Sequence, residues 1–196
     1  LEYEFYSNKS REQVAKELSK LVRKNVKVAE KYHSEMEVGG GKWKLEPDFS
    51  GGIKMMELVT EPMGYYEAIA TMTKILTWIK KNGWTDEKSA FQFSFSFDPF
   101  KYKLRNKLEN INKLKFILDF DEEFIYERFP KRRNSKYARS IKQIMPVNKF
   151  VFNDSVNQIH RTNYQLPDSK YYGMNFTKLS QGYIESRYLG GRGYQK

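Results

Sequence analysis

Four glutamates and an arginine occupy positions where a β-strand would be expected to carry apolar side chains. Leu1-Glu2-Tyr3-Glu4-Phe5 places two carboxylates two residues apart, Met55-Met56-Glu57-Leu58-Val59 holds a third, and Tyr183-Ile184-Glu185-Ser186-Arg187 pairs a fourth with a guanidinium. Alternate residues of a strand share a face, so Glu2 and Glu4 project together, as do Glu185 and Arg187. Carboxylates on an apolar or aromatic face are costly unless they are paired or bind a cation. Clustered carboxylates also repel one another, which divalent cations relieve. Should these strands be neighbours in one sheet, the groups form an acidic basin rimmed by arginine, suited to two metal ions and a nucleotide. Mg²⁺, or alternatively Mn²⁺, is the expected metal, because both take oxygen ligands and Mg²⁺ commonly bridges to substrate phosphates.

The rest of the composition narrows the chemistry. The chain has no cysteine, which excludes disulfides, Cys-ligated zinc and thiol catalysis, and its two histidines, His33 and His160, are isolated. Its 196 residues, 39% hydrophobic and 16% aromatic, fit one globular domain, 1–196. The closing Gly190-Gly191-Arg192-Gly193-Tyr194-Gln195-Lys196 does not read as a finished domain end and leaves room for a further C-terminal piece. No apolar run approaches the roughly 20 residues that span a bilayer, and no signal-peptide pattern opens the chain, so a cytoplasmic protein with no membrane partner is expected. Thirty-five basic against 24 acidic residues give a net charge of +11, which favours polyanions: nucleic acid, nucleotide phosphates or acidic substrates.

The elements that must position these groups are legible in part. Leu1 to Tyr6 reads as a strand, and Ser10-Arg11-Glu12-Gln13 has the form of a capping box opening a helix over 10–24. Val26 to Ala29 and Lys42 to Glu46 read as strands flanking Gly39-Gly40-Gly41, a hairpin or loop tip. That run lacks the lysine–serine ending of a phosphate loop. Ile53 to Thr60 is a strand, and 64–82 a helix whose core face would be Ile69, Met72, Leu76 and Ile79.

Phe91-Gln92-Phe93-Ser94-Phe95-Ser96-Phe97 alternates as a strand, with Gln92, Ser94 and Ser96 available to line a polar cleft with Glu2, Glu4 and Glu57. Helical spacing follows from about Leu104 to Met145, with Leu104, Leu108 and Ile111 on one segment and Tyr137, Ile141, Ile144 and Met145 on another, broken at Pro130 and Pro146. Residues 147–172 read as irregular, and Met174 to Thr177 and Tyr183 to Leu189 as strands joined through Gly182. Strands and helices interleave without strict alternation, so the expected fold is α+β: a mainly antiparallel sheet with helices packed on one face. Arg187, with Arg132, Arg133 and Arg139 from the basic stretch, could neutralise a transferring phosphoryl group or clamp a carboxylate; the basic run also fits a solvated helix edge.

Four blocks, in order, resemble the amidoligase family, relatives of glutamine synthetase and the glutamate–cysteine ligases. These are the opening Glu2-Tyr3-Glu4, then Trp43-Lys44-Leu45-Glu46-Pro47-Asp48-Phe49-Ser50 with Met56-Glu57-Leu58-Val59-Thr60-Glu61-Pro62, then Gly173-Met174-Asn175-Phe176, and finally Ile184-Glu185-Ser186-Arg187-Tyr188. The resemblance implies a glutamine synthetase-like catalytic fold. It also implies an ATP- and Mg²⁺-dependent ligase that joins a small-molecule or peptide carboxylate to an amine through an acyl phosphate. Carried over by motif, Glu2, Glu4, Glu57 and Glu185 would be metal ligands and Arg187 would stabilise the phosphoryl group. Arg133, or else Arg139, would supply the family's mid-chain arginine, and Asp48 would hold the amine or orient its turn.

One strand departs from the family's pattern. Where relatives commonly carry His-x-His, this chain has Gln92 and Ser94, either of which could contact a phosphate or a metal-bound water. The missing histidines leave a second expectation open, a catalytically inactive relative serving as a basic nucleic-acid-binding or structural protein. Its support is the net charge and aromatic-rich basic stretches such as Phe97-Asp98-Pro99-Phe100-Lys101-Tyr102-Lys103-Leu104-Arg105.

Overall fold

The computed structural model describes residues 1–32, 38–52, 54–96, 111, 116, 117, 119–144 and 171–196. Among them the fold is α+β, a mixed sheet of eight mostly antiparallel strands with three α-helices. The chain divides into two compact units, Leu1–Gln92 with Leu189–Lys196, and Phe93–Tyr188.

In the first unit β1 (Glu2–Ser7) lies between β4 (Met55–Val59) and β6 (Ala90–Phe95), antiparallel to both, and also pairs with the short β5 (Gly83–Trp84). Beyond β4 come β3 (Lys42–Pro47) and then β2 (Asn25–Val28). β2 and β3 run parallel, so the glycines between them do not close a hairpin as one reading of the sequence expects. They form a tight loop tip: Gly39 and Lys42 exchange backbone hydrogen bonds at 3.0 Å, and all three glycines hold positive φ angles. A strand, not a helix, follows them.

Helix α1 (Arg11–Val22) starts at the expected capping box, with Ser10 Oγ accepting from Gln13 N and Gln13 Oε1 accepting from Ser10 N. Helix α2 (Tyr65–Asn82) runs over the expected span. Val14, Ala15 and Leu18 of α1 and Ile75, Trp78 and Ile79 of α2 pack on Tyr3, Phe5, Trp43, Leu45, Met56, Leu58 and Phe91. That apolar cluster uses one parity of each strand, leaving the other parity on the face away from the helices. The expected core stripe of α2 holds at Ile79, with Met72 and Leu76 packed against the core, but it is rotated at its start: Ile69 is 41% exposed, while Ile75 and Trp78 are buried. Trp78 fixes this rotation, since its ring meets Phe5 edge-on and its Nε1 donates to Glu17 Oε2 at 3.0 Å.

Among the described residues the second unit contains α3 (Glu122–Arg128), the pair β7 (Met174–Asn175) and β8 (Ile184–Gly190, through Tyr188), and three 3₁₀ turns. The helix expected through Tyr137 and Ile141 is not formed. Pro130 opens a 3₁₀ turn, bends carry the backbone to 141, and Ile141 N is held by a side chain, Glu122 Oε1, at 2.8 Å. Within that expected helical region α3 does form, Ile111 lies in a bend, and Leu104, Leu108 and Met145, with most of 147–172, lie outside the described residues.

Candidate functional site

Strand register assembles the acidic residues of the first unit. Glu46 of β3, Glu57 of β4 and Glu4 of β1 are direct cross-strand partners and so form one row. The neighbouring row is Lys44, Val59, Glu2 and Gln92. Both rows carry the parity left over by the apolar core. Like charges directly opposite one another destabilise a sheet, and here three in a row are also withdrawn from water: Glu46 is 1% exposed, Glu57 6% and Glu4 9%. A sheet evolved for stability alone would place apolar side chains here.

Their partners differ. Lys44 Nζ sits 2.8 Å from Glu46 Oε2, an ion pair two residues apart on the same face. Glu4 accepts from the Ala90 backbone N–H at 2.7 Å and from Gln92 Nε2 at 3.2 Å. Glu57 accepts no hydrogen bond among the described residues. Burial first, then the charges of Glu2, Glu4, Glu46 and Asp48, push its carboxyl up to about 9. Both causes favour the protonated form of Glu57.

Asp48, buried at the end of β3, accepts the Ser50 N–H at 2.8 Å and thereby shapes the turn carrying Phe49. Burial, and then Asp48, Glu57, Glu4 and Glu46, also raise the Tyr32 hydroxyl, which places that ring in the field of the same basin. The Tyr32 and Phe49 rings meet edge-on at 6.3 Å. Gln92 is 4% exposed, and its Oε1 is buried without a hydrogen-bond partner. Leaving such an acceptor unsatisfied costs about 1–3 kcal/mol. Among the described residues no group of three or more His, Cys, Asp or Glu side chains is placed to hold a metal ion.

In the second unit Glu185 and Arg187 share one face of β8 and form an ion pair through Arg187 Nη1 and Glu185 Oε1. Asn175 of β7 is the register partner of Glu185, and its Oδ1 accepts from Thr177 N and Oγ1 at 3.0 and 2.7 Å. Arg187 Nε is buried with no hydrogen-bond partner. Arg133, by contrast, is on the surface, paired with Glu123, and Arg139 is exposed with its guanidinium over the Tyr172 ring. Ser94 and Ser96 are exposed residues of this unit.

Glu2, Glu4, Glu57, Asp48 and Gln92 are thus brought into one unit, and Glu185, Arg187, Arg133, Arg139 and Ser94 into the other. The sequence does not foresee the burial of Glu46 or the inward turn of Arg132. Glu46 is visible as one member of the alternation Trp43-Lys44-Leu45-Glu46, but its place beside Glu57 depends on the β3–β4 register. Arg132, 2% exposed, donates from Nη2 to the Arg187 carbonyl at 2.6 Å and so braces β8 from within the unit. A run of adjacent basic residues does not reveal which one turns inward.

The family model described as "Putative amidoligase enzyme" matches residues 1–192, nearly the whole chain. The protein belongs to this family. No curated protein and no solved structure matches the chain.

Proposed function

We propose that the protein is an ATP-dependent carboxylate–amine ligase with a glutamine synthetase-like catalytic fold. The observation that carries this reading is the buried row Glu46–Glu57–Glu4 across three strands of a chain that belongs to the amidoligase family. The donor chemistry suits a hard divalent cation: the acids are oxygen ligands, and the orphaned Gln92 Oε1 is a further buried oxygen. By the family's motifs, Glu2, Glu4 and Glu57 of the first unit would be ligands of Mg²⁺ or Mn²⁺, and Glu185 would be a ligand in the second. Mg²⁺, when bound, neutralises charge on the phosphates being transferred.

In the reaction, an oxygen of the substrate carboxylate attacks the γ-phosphorus of ATP, and the bond from that phosphorus to the bridging oxygen breaks to release ADP. The lone pair of the amine then forms the C–N bond at the acyl carbon, phosphate leaves with the C–O electrons, and the surplus amine proton passes to a base. Asp48, oriented by its bond to Ser50 N–H, is the residue suited to hold the incoming amine. Gln92 and Ser94 would contact phosphate oxygens or their water. Arg187 is suited to the charge that builds on the phosphoryl oxygens, because its Nε is buried and unpaired. Arg133 would join it only by leaving Glu123, and Arg139 only by leaving the Tyr172 face.

The test is a thermal-shift titration with ATP and MgCl₂, followed by assay of ADP release against panels of carboxylic acids and amines. Stabilisation by the nucleotide that disappears in Glu2→Gln and Glu57→Gln supports the reading. A wild-type protein indifferent to Mg-ATP overturns it.

A further inference from the structure

No acidic residue lies between Glu127 and Asp154 in the sequence, and the basic residues of that stretch have different fates in the structure. Arg132 turns inward and donates to the Arg187 carbonyl, and Arg133 pairs with Glu123. Lys136 and Arg139 stay exposed, with no carboxylate partner among the described residues. Each lies over a tyrosine instead: Lys136 Nζ is 4.9 Å from the centre of the Tyr137 ring, and the Arg139 guanidinium 4.8 Å from that of Tyr172. Tyr137 and Tyr171, 43% and 41% exposed, meet with their ring centres 6.0 Å apart, so the cations and their rings form one surface within the second unit. Backbone bonds hold this platform together. Arg139 N donates to the Tyr171 carbonyl at 3.1 Å and Gly173 N to the Arg139 carbonyl at 2.8 Å. Between Tyr137 and Arg139, the buried Ala138 accepts from Tyr126 Oη at 2.9 Å and anchors the strip from inside the unit.

We propose that this platform docks an acidic peptide segment, whose neighbouring carboxylates meet Lys136 and Arg139 together. The charge is complementary, and the rings prepare the cations for it: a cation held by the quadrupole of a ring loses less freedom when a ligand arrives. A guanidinium resting on a ring still has its in-plane N–H groups to offer, and that fork matches a carboxylate. Single-stranded nucleic acid suits the charge too, but it draws much of its affinity from bases stacking on aromatic faces. Here Tyr137 and Tyr172 already lie under cations, so stacking there competes with Lys136 and Arg139 for the rings. Carboxylates need no such exchange. The inference rests on the ligase reading only in making the docked segment part of a peptide substrate, apart from its reacting carboxylate.

The experiment titrates the full chain into a fluorescein-labelled oligoglutamate at low ionic strength and reads binding by fluorescence anisotropy. A neutral glycine–serine peptide and an oligothymidylate of equal charge serve as comparisons. The wild type is expected to bind oligoglutamate more tightly than oligothymidylate, and to ignore the neutral peptide. Lys136→Ala combined with Arg139→Ala should weaken oligoglutamate binding roughly tenfold. Lys80→Ala combined with Lys81→Ala removes the same charge from exposed positions of α2 and should change it little. Equal losses in the two double variants would mean a diffuse field and overturn the proposal. Tighter binding of oligothymidylate, or no binding of oligoglutamate by the wild type, would also overturn it, even where Mg-ATP binding upholds the ligase reading. Oligoglutamate binding that follows Lys136 and Arg139 in a protein indifferent to Mg-ATP would support the docking surface while the ligase reading falls.

Discussion

At the scale of single residues, Glu57 is the centre of the acidic face because it has acids on both sides, Glu4 and Glu46, and no hydrogen bond among the described residues to offset them. Its raised carboxyl has a defined effect on stability. The folded protein holds this proton up to about pH 9, whereas the unfolded chain releases it near its ordinary value of 4.5. The contribution to stability is therefore fully present below about pH 4.5 and is lost progressively as pH rises to about 9. Denaturant melts in chelator across that window should show this loss in the wild type and a flatter profile in Glu57→Gln, with the variant the more stable of the two at alkaline pH. Added Mg²⁺ should reverse the order, since the cation then favours the ionised wild-type side chain.

At the scale of elements, the capping box and the packing of β8 make separate predictions. Ser10→Ala removes the side-chain acceptor for Gln13 N at the start of α1 and should cost about 1 kcal/mol, read as a lowered melting midpoint with no change in cation response. In the second unit the buried Glu122 accepts from Ser140 Oγ at 2.5 Å, from Ile141 N at 2.8 Å and from Tyr188. This one carboxylate ties α3 to β8 and to the irregular segment before residue 142. Glu122→Leu leaves those donors buried and unsatisfied, so a loss of about 3–5 kcal/mol is expected, enough to lower soluble yield.

Gly173 packs against the Tyr188 ring so closely that an added Cβ would lie 2.0 Å from Cε1. Gly173→Ala should displace Tyr188 and with it the neighbouring Arg187, and tyrosine fluorescence with thermal melts would detect the shift. The boundaries of α2 follow from spacing and the Lys80-Lys81-Asn82-Gly83 stop, but which stripe faces inward is set by Trp78, whose indole spans Phe5 and Glu17.

At the scale of the whole molecule, net charge and site geometry predict different salt responses. A charge of +11 attracts any polyanion, and that attraction fades as ionic strength shortens the screening length. Mg-ATP stabilisation that depends on buried acids should survive raised NaCl, while retention on single-stranded DNA should fall steeply; measuring both on one preparation tells a built site from a diffuse field. No helix among the described residues is long and apolar enough to cross a membrane. The α+β class, the parity that keeps Glu2 with Glu4 and Glu185 with Arg187, and membership of the amidoligase family were all readable from the sequence, because period-2 patterning and ordered motifs are local properties of the chain. The direction of β2 against β3, the inward turn of Arg132 over Arg133, and the row Glu46–Glu57–Glu4 were decided by tertiary structure. Register between strands distant in sequence depends on which apolar faces can be buried together, and no local pattern encodes the partner across the sheet.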